Sequence, residues 1–395
     1  MTVPAGTART RARWCLDGSA LFAYFALGSV FSALPRFVTE NLGGSKAIAG
    51  FSVSVFFVAA IGTRPLIGRF VDRHGRQGVL RIGPIALALA FVAMSFANSI
   101  PALLVLRFLQ GVAGASFYVA AVSASTDLAE EGERGSAVAR LSLALYAGFA
   151  LGPVAGEWLL NQGAPTAWRL LAALELVAAA IVWFVPETHE GAPRALTAAS
   201  VPLFHPRAIV PGVFLLTLGV GYTSITSQAA VYARDVGLDG SGPMFVGFAG
   251  AILLVRLFAG KLSDRIGALR VLYPGAGFLI AGLLVVAGLR MPIMAVVGAA
   301  LVGTGWALVF PAMVSFISDL VPDAERGAAL GSAIACMDVG QGFGGYAVGA
   351  VADVAGFGWA YLLPALLALA GLAVFWRATP QPPEFSVSVS ETLRK

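Results

Sequence analysis

The chain has 395 residues, of which 58% are hydrophobic and only 12% are charged, and its formal net charge is +5. A soluble domain has roughly 45–50% apolar and about 25% charged residues, so this composition excludes a water-soluble enzyme and a disordered chain. The two cysteines, Cys15 and Cys336, provide no disulfide framework and lack the spacing of a metal site. The sequence is therefore that of a membrane protein.

Apolar segments long enough to cross a bilayer follow one another along the chain. The first begins near Leu16; it is too long for a signal peptide and shows no clear cleavage pattern. Allowing roughly 20 apolar residues for each crossing, and ending segments at glycine, proline and charge clusters, we predict twelve crossings. The segments begin near Leu16, Ala47, Val79, Pro101, Gly135, Trp168, Ala208, Gly242, Val271, Pro292, Arg326 and Gly358.

The distribution of basic residues predicts the orientation. Most of the 26 lysines and arginines lie on the side of the amino terminus. By the positive-inside rule, both termini are expected in the cytoplasm. The few basic residues predicted on the opposite side are Arg36, Lys46, Arg169, Arg234 and Arg290.

The second half of the chain repeats the first at an offset of 192 residues. Residues 68–75 (GRFVDRHG) align with residues 260–267 (GKLSDRIG), and Arg64 aligns with Arg256. Six crossings return the chain to the same side, so the repeats are parallel. The sequence predicts an all-α membrane protein with twelve transmembrane helices in two parallel six-helix repeats. The expected parts are a first half (1–186), a cytoplasmic linker (187–207), a second half (208–378) and a cytoplasmic tail (379–395).

Three motifs carry a family resemblance. Residues 68–76 read GxxxDRxGR, residues 103–111 read LxxxRxxQG, and residues 148–156 read GxxxGPxxG. In these motifs the chain resembles the major facilitator superfamily over essentially its whole length. The three resemble, in order, the family's loop motif, its proton-coupled pattern and the signature of its exporters. Glu157 stands where that signature has a further glycine.

The resemblance implies a cytoplasmic gate at the loop motif. Asp72 is expected to meet the amino-terminal end of helix eleven, in the outward-facing state only. The repeat predicts the same contact between Asp264 and helix five. The alternative is a positive-inside loop with turn glycines. The candidate gate residues are Gly68, Asp72, Arg73, Gly75, Arg76, Asp264, Arg265, Arg134 and Arg326.

Small residues at four-residue spacing form a smooth face on helix five. The strip consists of Gly148, Gly152, Pro153 and Gly156, and another helix can lie close against it. The resemblance implies an interface between the halves, while ordinary helix packing is the alternative. A similar strip lies between residues 340 and 349 in helix eleven, and this repetition favours the interpretation that the strips form the interface between the halves.

Three ionisable side chains in apolar segments are candidates for proton coupling, because a charge in the bilayer is costly. Asp338 is predicted near the middle of helix eleven, and Tyr146 occupies the corresponding position of the first half. Glu175 in helix six and Arg107 in helix four are the other candidates; Gln110 shares a helix face with Arg107. For each, a structural role is the alternative.

Family folds line the central cavity chiefly with helices one, four, seven and ten. The expected wall is aromatic and mostly uncharged, which suits a lipophilic, neutral or weakly cationic compound. Arg64 and Arg256 are expected near cytoplasmic helix ends, as snorkelling or gate residues. The candidate cavity residues are Tyr24, Phe31, Gln110, Tyr118, Tyr146, Tyr222, Gln228, Trp306, Phe310 and Gln341.

The function expected from these features is that of a proton-coupled antiporter in a bacterial cytoplasmic membrane, exporting a small lipophilic drug or metabolite. The alternatives are a proton symporter or facilitator that imports a nutrient, and a non-transporting sensor. No enzyme activity, cofactor, metal or nucleic-acid partner is expected, and no glycine-rich ATP loop appears. The expected partners are a small-molecule substrate, protons and lipid. A monomer is sufficient because one chain contains both halves.

Overall fold

The computed structural model describes residues 6–130, 133–188, 205–259, 262–322 and 325–379. Every regular element in these ranges is helical. The α-helices are α1 (Thr7–Glu40), α2 (Lys46–His74), α3 (Gln77–Met94), α4 (Ile100–Asp127), α5 (Arg134–Asn161), α6 (Ala164–Val182), α7 (Ile209–Asp235), α8 (Gly242–Ala259), α9 (Leu262–Ile266), α10 (Ala268–Gly288), α11 (Pro292–Asp319) and α12 (Arg326–Ala378).

The last helix accounts for two crossings. Within the described ranges, 11 helices are long and apolar enough to span a membrane. At 53 residues α12 would measure ~80 Å, far beyond a hydrocarbon core of ~30 Å. Its backbone leaves the helical conformation at Gly356, where φ is 80°. The helix therefore has two arms, residues 326–355 and 357–378, and the predicted twelve crossings are confirmed.

The predicted starts agree with the structure except at the beginning of the chain. Most helices start within about four residues of the expected position. The helix α1 starts at Thr7 rather than near Leu16, because its arginine-bearing first turns remain helical outside the apolar segment. The predicted linker and tail lie largely outside the described residues, so their boundaries stay predictions.

Two helical bundles with matching internal contacts make up the molecule. In the first, α1 packs on α5, α2 on α4 and α3 on α6; in the second, α7 packs on α12, α8 on α11 and α10 on α12. The bundles meet where α2 contacts α12 and where α5 contacts α8. We call the membrane side on which α1 begins and α12 ends the terminal side, and the opposite one the far side.

Large apolar side chains cover the outer surface. Phe96, Phe258 and Val354 are among the most exposed. In water such a surface would cause aggregation, whereas in a bilayer its apolar side chains contact the lipid favourably. The chain is a multi-pass membrane protein.

Candidate functional site

An ion pair joins the two halves inside the membrane. Asp338 lies on the first arm of α12, ~18 Å along the helix from Arg326, and is 1% exposed. Arg64 of α2 donates from Nη1 to Asp338 Oδ2 at 2.5 Å. The Arg64 guanidinium also lies 5.6 Å from the ring centroid of Tyr118 on α4. Because α2 continues to His74, Arg64 is well inside its helix, and the expectation of a helix-end residue is wrong.

A second arginine makes the corresponding contact on the other side of the seam. Arg256 of α8 lies over the ring of Tyr146 on α5, 3.7 Å from its centroid. At the repeat offset, Arg256 corresponds to Arg64, and Tyr146 corresponds to Asp338. The two contacts are therefore equivalent in position and different in chemistry. In one an arginine meets a carboxylate, whereas in the other the contact described is with an aromatic face.

An aromatic crevice lies between the halves next to these contacts. Tyr222 and Trp306 pack with ring centroids 4.5 Å apart and ring planes tilted by 36°, and Trp306 stacks on Phe310 at 6.0 Å. Tyr24 meets the ring of Phe149 edge-on at 4.7 Å. Most of the wall comes from α5 and α8, from which the sequence analysis named only Tyr146 as a cavity residue. The crevice is lined by Phe31, Tyr146, Phe149, Ala150, Tyr222, Phe245, Phe248, Ala249 and Ile252.

Several predicted cavity residues instead make helix contacts. Gln228 donates from Nε2 to the carbonyl oxygen of Lys46 at 3.1 Å, which places it in the far-side seam. Gln341 is buried beside Gly219 of α7. Gln110 accepts a hydrogen bond from Arg107. Amphipathic patterns identify buried helix faces without distinguishing a neighbouring helix from a cavity.

Arg107 and Glu175 are both buried, in different surroundings. Arg107 donates from Nε to the carbonyl oxygen of Ser52 at 3.0 Å and from Nη1 to Gln110 Oε1 at 2.6 Å. Arg107 thus links α4 to α2. Glu175 is 0% exposed, and both its carboxyl oxygens lack a hydrogen-bond partner within the described part of the chain. Arg107, Glu175 and Asp338 make no direct contact with one another among the residues described.

Two carboxylates tie the halves together at the far side. Glu157 of α5 accepts hydrogen bonds through Oε2 from Ser241 Oγ at 2.7 Å and from the backbone N–H of Gly242 at 3.0 Å, at the start of α8. Asp353 of α12 accepts from the backbone N–H groups of Lys46 and Ala47 at 3.0 and 2.9 Å, at the start of α2. The sequence analysis treated Glu157 only as a departure from a motif and did not single out Asp353.

Glycines bring α2 and α12 into close contact between these far-side contacts and the ion pair. A Cβ at Gly345 would lie 2.1 Å from Ser54 Oγ and 2.5 Å from the carbonyl oxygen of Gly50. The backbone N–H of Gly345 donates to Ser54 Oγ at 3.1 Å. The halves are therefore closed against each other at the far side.

The glycine strip of α5 lies elsewhere. A Cβ at Gly148 would meet the backbone of Leu21 and Phe25, and one at Gly156 would lie 2.1 Å from the carbonyl oxygen of Ser29. These partners belong to α1, in the same half. The expectation that this strip forms the seam is wrong, because α5 turns its glycine face to α1 and a different face to α8.

The predicted gate residues form contacts within the first half at the terminal side. Arg76 lies 3.4 Å from Asp72 and 2.9 Å from Asp127. Glu187 accepts hydrogen bonds from the backbone N–H groups of Arg76 and Gln77 at 2.9 and 3.0 Å, at the start of α3. Gly75 has a positive φ of 91°, and a Cβ there would lie 2.4 Å from Glu187 Oε2. Sequence reasoning missed both Asp127 and Glu187 as partners of this motif.

The remaining gate residues are separate from this cluster. Arg326 donates from Nε to the carbonyl oxygen of Ser318 at 3.0 Å, within the second half. Arg73 and Arg265 are exposed, and Gly68 is partly exposed. The side chains of Arg134 and Asp264 lie outside the described part of the structure, so their predicted contact stays a prediction.

Comparison with known proteins gives a consistent family match. The model of the Major Facilitator Superfamily matches residues 16–317 and 209–393. An uncharacterized MFS-type transporter of Burkholderia mallei (strain SAVP1) is 30% identical over 370 residues, covering 89% of this chain and 88% of the relative.

Solved structures share the fold at low sequence identity. The crystal structure of the nucleoside transporter NupG has a TM-score of 0.76 and 16% identity, covering 92% of this chain and 100% of that one. A bacterial homologue of the human lysosomal transporter Spinster, in an inward-facing and occupied conformation, has a TM-score of 0.76 and 14% identity, with 95% and 97% covered.

Proposed function

Because the chain belongs to the major facilitator superfamily of membrane transporters, we propose that it is a proton-coupled antiporter that exports a small, largely apolar compound by alternating access. The observation that carries the proposal is the ion pair between Arg64 and Asp338. It lies inside the membrane and joins the two bodies that would have to move relative to each other.

The ion pair can couple protonation to conformation. The carboxylate of Asp338 binds Arg64 only in its charged form, so proton uptake competes with Arg64 for Asp338. A neutral Asp338 would weaken the seam between α2 and α12 and favour opening at the far side. Reformation of the ion pair would release the proton when the far side closes. This alternation is the minimum that a proton-driven cycle requires.

The proposed orientation places both termini in the cytoplasm of a bacterium. The far-side-closed arrangement then corresponds to a state of the cycle that is closed to the outside. In this state Asp72 is paired with Arg76 rather than with the start of α12, as expected if the cytoplasmic gate forms only when the protein faces outward. The aromatic side chains of the crevice offer an apolar surface to the transported compound, and the crevice, with a volume of about 10 Å³ in this arrangement, would have to widen to admit it.

Proton movement in oriented proteoliposomes tests the proposal. The liposomes carry a pH indicator and an outward-directed gradient of candidate lipophilic compounds, and the wild type is compared with Asp338→Asn. A matched control is Asp17→Asn, because Asp17 also meets an arginine, Arg140, at 2.5 Å, but both belong to the first half.

The expected result is proton movement opposite to that of the substrate, lost in Asp338→Asn and retained in Asp17→Asn. Uphill pumping by Asp338→Asn under a proton gradient would overturn the role of Asp338. Proton movement in the same direction as substrate would establish the alternative, a symporter that imports a nutrient.

A further inference from the structure

Arg256 is a partly buried cation without a carboxylate partner in the described structure. Its Nε and Nη2 atoms are buried and have no hydrogen-bond partner among the residues described. Its one described contact there is the face of Tyr146. A cation–π contact of this kind offsets only a part of the cost of desolvating a charge. These two buried nitrogen atoms therefore lack the hydrogen-bond acceptors that a charged guanidinium needs.

Arg64 has a carboxylate partner that Arg256 lacks in the described structure. The two arginines are equivalent in the repeat, but Arg64 has Asp338 where Arg256 has Tyr146. The ion pair of Arg64 is neutral overall, whereas no carboxylate among the described residues pairs with Arg256. An anion bound to Arg256 would supply the negative charge that Asp338 supplies to Arg64 on the other side of the seam.

The surroundings of Arg256 supply further groups for such an anion. Tyr222 lines the same crevice as Tyr146, and phenolic hydroxyls can donate to an anion. Tyr146 itself lines the aromatic crevice together with Phe248 and Ile252. The cation thus lies at one end of an apolar crevice between the halves.

We propose that Arg256 is the anion-binding residue of the substrate site, and that the transported compound is an amphipathic organic anion with one carboxylate and an aromatic or aliphatic body. The proposal rests on the transport function proposed above and makes its substrate class specific. The carboxylate pairs with Arg256, for which a planar two-oxygen group is the best fit. The apolar body lies against the rings of the crevice. This replaces the neutral or weakly cationic compound expected from the sequence, which counted Arg107 as the only central basic residue.

Binding to the purified full-length protein in detergent tests the proposal without requiring flux. The probes are 2-naphthoate, its neutral analogue 2-naphthamide and the cation 2-naphthylmethylammonium, which share one apolar body, together with octanoate as an aliphatic carboxylate. Binding is followed by quenching of tryptophan fluorescence, since Trp306 packs against Tyr222, which lines the crevice, and by the shift in Tm.

The wild type is compared with Arg256→Gln and Arg256→Lys. Loss of a charge-assisted hydrogen bond predicts a Kd for 2-naphthoate about 10- to 100-fold weaker in Arg256→Gln. Arg256→Lys keeps the charge, so its Kd for 2-naphthoate is expected to lie between those of the wild type and of Arg256→Gln. This intermediate value distinguishes a loss of anion binding from misfolding. The control is Arg169→Gln, because Arg169 also faces an aromatic ring, that of Phe96 at 6.0 Å, near the start of α6 on the far side.

Three results would overturn the proposal: equal binding of naphthamide and naphthoate, unchanged naphthoate binding in Arg256→Gln, or no binding of either carboxylate. Each leaves proton-coupled transport to be decided by the liposome experiment. Conversely, carboxylate binding that depends on Arg256, together with uphill pumping by Asp338→Asn, would support the substrate class and refute the coupling role of Asp338.

Discussion

Glu157 and Asp353 make the same kind of contact at two ends of the far-side seam. Each carboxylate accepts backbone hydrogen bonding at the start of a helix of the other half: Glu157 from one N–H group of α8, and Asp353 from two N–H groups of α2. Since α5 and the first arm of α12 are equivalent in the repeat, as are α8 and α2, the two contacts are related by the pseudo-twofold axis, displaced by one helical turn. A carboxylate at a helix amino terminus is favoured by the unpaired N–H groups and the helix dipole.

The carboxylate contacts at the far side are expected to favour the closed state. Glu157→Gln retains a hydrogen-bond acceptor but removes the charge, worth about 0.3–2 kcal/mol, so the population open at the far side should rise about twofold to thirtyfold. Distances between spin labels at Gln162→Cys and Asp239→Cys, with Cys15 and Cys336 replaced by serine, report this population.

Asp235→Asn is the control for that measurement. Asp235 is also acidic and on the far side, but it pairs with Arg290 of its own half. An equal shift in the control, or no shift in Glu157→Gln, would show that the carboxylate on α8 does not stabilise the closed state.

The close approach of α2 and α12 predicts the effect of enlarging Gly345. Gly345→Val introduces atoms where Ser54 and Gly50 already lie, and such overpacking costs typically about 1–3 kcal/mol. We expect the far side to open, with longer distances between the same spin labels. Gly331→Val is the control in the same helix, because a Cβ there meets nothing within 4 Å. An unchanged distance distribution in Gly345→Val would contradict the proposed seam.

The ion pair between Arg64 and Asp338 predicts that removing its two charges affects the stability of the protein in a non-additive way. Arg64→Gln leaves the buried carboxylate of Asp338 without its partner, which is expected to destabilise the protein by about 3–5 kcal/mol. The double variant Arg64→Gln with Asp338→Asn removes both charges and should be less destabilised than the sum of the single variants. Thermal unfolding of the four proteins in one detergent measures this. Additive effects would mean that the pair contributes no coupling.

Glu187 predicts a local effect at the terminal side. Glu187→Ala removes the acceptor for the backbone N–H groups of Arg76 and Gln77, at a cost of about 0.5–2 kcal/mol for a helix start. Hydrogen exchange of the first turn of α3 should become faster in this variant. Glu130→Ala is the control, since Glu130 is exposed and meets only Arg9 at 3.9 Å among its described ion pairs. Unchanged exchange in Glu187→Ala would exclude a capping role.

Some of the site was predictable from the sequence and some was not. The position of Asp338 inside the membrane followed from its distance along an apolar segment. The equivalence of Arg64 and Arg256 followed from the repeat offset. The partners did not follow, because an alignment relates residues along the chain and contains no information about which helix faces meet across the seam. The glycine strip of α5 illustrates this, since its spacing fits α1 as well as it fits α8.

By itself, the sequence determined the twelve crossings, the parallel repeat and the family, because hydrophobic length and repeat period are properties along one dimension. The tertiary structure decided that Arg64 meets Asp338 whereas Arg256 meets Tyr146, and that Glu157 and Asp353 hold the far side closed. These contacts depend on the rotation of each helix about its axis and on which half it faces. Both are set by packing between helices that are distant in sequence.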